Sequence, residues 1–135
     1  MDGIVVYILM NSYRYEHQVP FQDTDMAGVV HYTCILGYIE LAEHAKLASA
    51  GIEVISSKGG LPKVHVSCDY LSPLRFGDLL EVELLLVRCS AKSLHWSFII
   101  RCNNKDCAKG EMVTAYVDER GKSIRIPKEW DTLLA

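Results

Sequence analysis

The sequence predicts an α+β domain in which an antiparallel sheet carries one long helix on a single face. Three observations lead there. The stretch Thr33 to Ala50 contains no proline and stops at Gly51, as a helix does. Four strand-like runs follow it: Lys63 to Leu71, Leu79 to Cys89, Ser93 to Cys102 and Ala108 to Asp118. One further strand precedes it, and 135 residues suffice for a single domain, 1–135, with its own core.

Taken in order, Met1 to Met10 holds a short apolar run with no basic leader, too brief to cross a membrane. Residues 1–12 read as an N-terminal extension, a start-site artefact or a frayed extra strand. From Tyr13 to Phe21 apolar and polar residues alternate loosely, giving a strand that ends at Pro20 and a carboxylate loop. The helix places Cys34, Tyr38, Leu41, Ala45 and Ala48 on one face, with Ile35, Ile39 and Ala42 beside them. Its first half is apolar nearly all round, so other elements must cover it. "SSKGGLP" is a glycine-bearing loop, and the four strands after it read as a meander. Leu94, Trp96, Phe98 and Ile100 alternate with Ser93, His95 and Ser97, the pattern of a sheet buried on one face. "RFGD" and "CNNKDC" supply turns, "DERGKS" breaks the last strand near Gly121, and a short helix follows Pro127.

Composition removes several function classes. The chain is half hydrophobic and 23% charged, which argues against disorder. A net charge of -3 and no run of Lys and Arg provide no field for nucleic acid. The five cysteines are odd in number and lack zinc-like spacing, so they read as reduced thiols of a cytoplasmic protein, with no metal and no cofactor expected. Cys102 and Cys107 flank a hairpin loop that brings strand ends together, and are taken as buried strand residues.

The chemistry concentrates in "FQDTDMAGVVHY", Phe21 to Tyr32. Asp and Gly are turn residues because Asp bonds nearby backbone and Gly accepts positive φ. A turn or N-cap role accounts for Asp25 in isolation, yet a turn needs no second carboxylate next to a buried helix.

"DTDMAGVVHY", the "YIELAEHAKL" helix and "VHVSCDYLSPLRFGDLLEV" together resemble the hotdog-fold acyl-CoA thioesterases of the 4-hydroxybenzoyl-CoA and Tol-Pal-associated type, over about Tyr15 to Pro127. The D-x-D-x-x-G-V-V segment is the specific part. The resemblance implies a hotdog fold, a curved antiparallel sheet of about five strands wrapped around one central helix. It implies hydrolysis of an acyl-CoA, aromatic or of short to medium chain, to free acid and CoA. Asp25 takes the catalytic position of the family, and the Tyr32 backbone amide, seven residues on, takes that of the oxyanion donor. A carboxylate attacks a thioester to give a mixed anhydride or deprotonates a water, and the sequence does not separate the two. The free N–H groups of a helix N-terminus suit the carbonyl oxygen. Gly28, Val29, His31, Lys92 and Ser93 are the expected substrate contacts, Gly28 by close backbone approach and Lys92 by its charge toward CoA phosphates. A homo-oligomer is also implied, dimer or tetramer, with active sites between subunits.

Other polar residues have ordinary readings beside functional ones. Asp23 reads as a supporting partner or a plain turn residue. Relatives carry Tyr-His where this chain has His31-Tyr32, so His31 is read as a partly buried histidine with a backbone partner ahead of a substrate contact. Glu40 is the reserve acid, because another branch of hotdog thioesterases uses a helical glutamate. Glu40 and Glu43 are otherwise solvated or subunit-facing, paired with His44 and Lys46. His65, Ser67 and Asp69 share one strand face and read as a polar face or subunit contact. Arg75, Arg88 and Arg120 are surface charges or minor phosphate contacts. The alternatives are hydrolysis of acyl groups on acyl carrier protein and a non-catalytic acyl-thioester-binding module, with a dehydratase further behind.

Overall fold

The computed structural model describes residues 12–54 and 59–135. The readings for residues 1–11, and for the Ser56–Lys58 part of the glycine-bearing loop, lie outside the described residues. Strand β1 spans Tyr13–Gln18, helix α1 Tyr32–Ser49, and β2 Gly59–Gly60. Then come β3 Lys63–Tyr70, β4 Leu79–Cys89, β5 Ser93–Cys102, β6 Lys105–Ala115, β7 Val117–Asp118 and a terminal turn of helix, α2, Trp130–Leu133. A 3-10 turn, Phe21–Asp23, lies between β1 and α1.

Five strands form one antiparallel sheet in the order β1-β4-β5-β6-β3, and β2 pairs with β7 in a small second ladder. Only β4, β5 and β6 make a meander. The sequence reading placed β3 in that meander as well, next to β4. Instead β3 pairs with β6, Val66 opposite Met112 and Tyr70 opposite Ala108, and the 71–78 segment crosses to the other side of the sheet. A regular alternation marks a strand but carries no record of its neighbour.

Burial follows the alternation of β4 and β5. Leu80, Val82, Leu84 and Leu86 meet Leu94, Trp96, Phe98 and Ile100 on the inner face. Ile35, Tyr38, Ile39, Ala42 and Leu47 of α1 are buried in the same core. The predicted helix face is corrected by this: Leu41 and Ala48 are exposed, and the stripe through Ile35, Ile39 and Ala42 is the one that packs. With apolar residues all round the first turns, sequence alone gave no contrast to orient them.

The turns match their chemistry. Asn103 and Asn104 both have positive φ, 52° and 61°, and close the β5–β6 hairpin with Cys102 opposite Lys105. The register shifts just before this hairpin, so Cys102 and Cys107 are not cross-strand partners, and both are free thiols. Gly110 allows a close approach: a Cβ there would lie 1.9 Å from the Ser67 carbonyl oxygen.

Among the described residues, one carboxylic side chain enters the core. Glu43 is 0% exposed; Thr114 of β6 donates to its Oε2 at 2.6 Å, and Lys63 Nζ of β3 meets its Oε1 at 2.7 Å as an ion pair. Lys63 also lies 3.7 Å from the exposed Glu40. The expected Glu43–Lys46 pair is therefore wrong: Lys46 sits over the Tyr13 ring at 5.8 Å, and burial lowers its pKa. Removing one partner leaves the other charge stranded, which costs about 3–5 kcal/mol in buried pairs. Urea unfolding of Lys63→Met should show a loss of that size. A double replacement, Glu43→Leu with Lys63→Met, should recover much of it.

Candidate active site

The loop between β1 and α1 folds on itself before it enters the helix. Thr24 and Val30 form a bridge, the Asp25 N–H donates to the Val29 carbonyl at 2.9 Å, and the Gly28 N–H donates to the Asp25 carbonyl at 2.9 Å. Gly28 has φ 79°, a left-handed conformation that an L side chain resists. The loop is anchored outward too, because the Val30 N–H donates to the Leu74 carbonyl at 2.7 Å and Val29 pairs with Arg75.

Asp25 sits at this exposed tip. Its Oδ1 accepts the Ala27 N–H at 2.9 Å, the Asx turn that its residue type predicts, and no partner among the described residues takes Oδ2. Met26 beside it is fully exposed. Asp23 points the other way, toward α1, where the Tyr38 hydroxyl donates to its Oδ2 at 2.7 Å. Burial first, and then Asp23, push the Tyr38 pKa well above the ordinary phenol range, so the phenol stays a donor.

His31 is the N-cap of α1. Its Nδ1 accepts the Thr33 N–H at 3.3 Å and lies 2.7 Å from Thr33 Oγ1, while its ring stacks on Tyr32 at 4.8 Å. The residue is exposed, against the reading of a partly buried histidine, although its backbone partner is present. Capping explains the exposure, since an N-cap side chain turns back over the helix end. The Cys34 N–H donates to the His31 carbonyl at 2.9 Å. Of the first-turn amides, Tyr32 N–H has no acceptor among the described residues. Its side chain is 61% exposed and meets Tyr70 edge-on at 6.2 Å.

Beside these rings opens a mainly apolar cavity of about 250 Å³, walled by Val29, Tyr32, Ile35, Tyr70, Leu74 and Cys107 among others. A slightly larger hollow, about 290 Å³, lies past the other end of α1 near Gly51 and Trp130. The 18-residue helix puts it roughly 27 Å from Tyr32, too remote to serve the loop.

The structure thus brings together Asp25, Gly28, Val29, His31 and Tyr32 in one loop. It does not bring Lys92 and Ser93 to them. These follow β4, whose 11 residues start beside the loop, so they lie roughly 35 Å away within one chain. Ser93 Oγ contacts Ser90 Oγ at 2.6 Å and His95 Nε2 at 2.9 Å, a tight turn of its own. Burial and Arg88 lower the His95 pKa. His65, Ser67 and Asp69 lie opposite Val113, Glu111 and Lys109 along β3, in the polar row that their spacing predicted. Arg75 was missed as part of the loop: an ideal Cβ on Gly28 would lie 3.8 Å from its Nη1. Only the later pairing of Val29 with Arg75 could have signalled it.

The described residues contain no cluster of His, Cys, Asp and Glu that could hold a metal ion, and no helix long and apolar enough to cross a membrane. The sequence profile of the thioesterase-like superfamily matches residues 19–134. A 1,4-dihydroxy-2-naphthoyl-CoA hydrolase of Synechococcus elongatus is 40% identical over 80 residues, covering 56% of this chain and 59% of that protein. The match thus spans less than two thirds of that relative's length. A solved 1,4-dihydroxy-2-naphthoyl-CoA thioesterase from Synechocystis superposes with a TM-score of 0.84 at 27% identity, over 91% of this chain and 95% of that one. A gentisyl-coenzyme A thioesterase superposes with a TM-score of 0.84 at 26% identity, over 90% and 99%.

The thiols are not candidate nucleophiles. Burial raises all five pKa values, and burial with Asp131 pushes Cys89 up to about 12. Burial thus keeps their thiolate fraction below that of a free cysteine. Iodoacetamide should therefore modify the native protein much more slowly than the urea-unfolded chain, as mass spectrometry of timed aliquots would show.

Proposed function

Because this chain belongs to the thioesterase-like superfamily, we propose that it hydrolyses acyl-CoA thioesters, with Asp25 as the catalytic carboxylate and the Tyr32 amide as oxyanion donor. The observation that carries this reading is the pairing of two unused groups in one closed loop: the outward Oδ2 of Asp25 and the unpartnered N–H at the start of α1.

The thioester carbonyl approaches the helix N-terminus, where the amide and the positive end of the helix dipole stabilise the oxygen as it gains charge. Gly28 has no side chain to block that approach. Asp25 delivers the oxygen, by direct attack followed by hydrolysis of the anhydride or by deprotonating a water. The thiolate of CoA leaves. The acyl group occupies the cavity beside Tyr32 and Tyr70. We assign it as aromatic, because the relatives named above act on naphthoyl and gentisyl thioesters and the walls here are apolar and aromatic. No metal or redox cofactor has a step in this scheme.

Assembly follows from the edge strand. Among the described residues β3 has β6 on one side and no strand on the other, and it leaves Val64 63% exposed and Val66 and Tyr70 half exposed. Such an edge calls for a partner, here a second copy. Two β3 strands pairing antiparallel place the Lys63 end of one beside the Tyr70 end of the other. Lys92 and Ser93 belong to the Lys63 end and Asp25 to the Tyr70 end, so the pair forms a composite site with Lys92 acting in trans on CoA phosphate.

Thiol release should be followed on a panel of aromatic and aliphatic acyl-CoAs with wild type and Asp25→Asn. Turnover of aromatic members and a loss of roughly a hundredfold or more in the variant are expected. Equal rates in a folded variant would remove Asp25 from the chemistry. Co-refolding Asp25→Asn with Lys92→Glu should regain about a quarter of wild-type activity by random pairing in a dimer. No recovery would sink the trans arrangement.

A further inference from the structure

We propose that Tyr38 is a positioning residue: by holding Asp23, it sets the Asp25 carboxylate against the start of α1. The inference rests on the reading of Asp25 given above.

Asp23 is bound to the helix twice. Its carboxylate takes the Tyr38 hydroxyl at 2.7 Å, and its backbone carbonyl takes the His31 N–H at 2.9 Å. The first contact reaches the second turn of α1, the second reaches the N-cap. Between them lies the whole hairpin-like loop, because the Thr24–Val30 bridge begins one residue after Asp23 and ends one residue before His31. Asp25 is two residues from this clamp, and Tyr32 is next to its far jaw. Sliding Asp23 along the helix would therefore carry Asp25 with it while the Tyr32 amide stays.

Tyr38 is suited to be the fixed jaw. It is 3% exposed, and the His17 ring from β1 packs on it at 4.7 Å between centroids. A phenol wedged between strand and helix has little rotamer freedom, so its hydroxyl marks one place in space. Burial and the neighbouring carboxylate hold that hydroxyl protonated, and it donates without titrating near neutral pH. Catalytic groups commonly need such support, since small displacements from productive geometry carry large rate costs.

The test uses Tyr38→Phe, Asp23→Ala, the double variant and Asp23→Asn. Tyr38→Phe removes one oxygen and keeps the ring packing. We expect kcat to fall at least tenfold with KM within twofold. Asp23→Ala should give a similar loss, and the double variant should be no worse than the weaker single, as two ends of one contact require. Asp23→Asn keeps an acceptor for Tyr38 and should retain more activity than Asp23→Ala. A second readout does not depend on turnover: hydrogen exchange of the His31 and Asp25 amides should accelerate in Tyr38→Phe while mid-helix amides of α1 remain protected. Unchanged exchange at His31 and Asp25 would overturn the clamp. Accelerated exchange with kcat within twofold of wild type would overturn its role in positioning, as would additive losses in the double variant. If wild type turns over no thioester while exchange accelerates as expected, the clamp stands and the thioesterase reading is the part that fails.

Discussion

Glu43 enters the interior, and the molecule meets its carboxyl group with one residue from each of two strands. Lys63 comes from the edge strand β3 and Thr114 from its neighbour β6, so the carboxylate fixes where α1 lies along the sheet. Leucines and isoleucines can slide past one another at modest cost, whereas a buried ion pair tolerates little displacement. The apolar stripe Ile35, Ile39 and Ala42 presses the helix down, but apolar residues surround much of it and would accept other rotations. The charge selects one.

That choice reaches the loop at the other end of α1. With the helix set, Tyr38 faces β1 and Asp23, and His31 and Tyr32 emerge beside the Thr24–Val30 closure. The two aspartates then divide their work by direction. Asp23 turns inward and is spent on the helix, while Asp25 turns outward and keeps one oxygen for other partners. Two residues of spacing in an irregular turn suffice to send neighbouring carboxylates to opposite sides.

Much of this was legible in the sequence, and the reasons are local. The bounds of β4 and β5 follow from strict alternation between core and surface, and α1 from an unbroken run closed by Gly51. Gly28 and the Asx turn of Asp25 follow from residue type. What was hidden depends on distant partners. The sequence read Glu43 as a surface charge, because only the position of Lys63, twenty residues on and on another strand, makes its burial tolerable. It joined β3 to β4 because consecutive strands usually neighbour each other. Lys92 was expected at the coenzyme A phosphates only through family resemblance, and the length of β4 separates it from the loop within one chain.

The tight turn at Asn103–Asn104 has a bearing on how the chain folds. Contacts between β5 and β6 are close in sequence, as are those between β4 and β5 across the Ser90–Ser93 turn, so the loop entropy lost in forming them is small. Strands β1 and β3 must instead be gathered from far along the chain. Contact order thus places the three-stranded meander early and the two flanks late. On that ordering a refolding chain docks β3 onto a meander already formed, and Lys63 reaches Glu43 only with that step. Until β3 docks, β6 offers an unpaired edge of the kind on which chains associate, so the yield of refolding depends on how fast β3 arrives as well as on the stability of the folded domain.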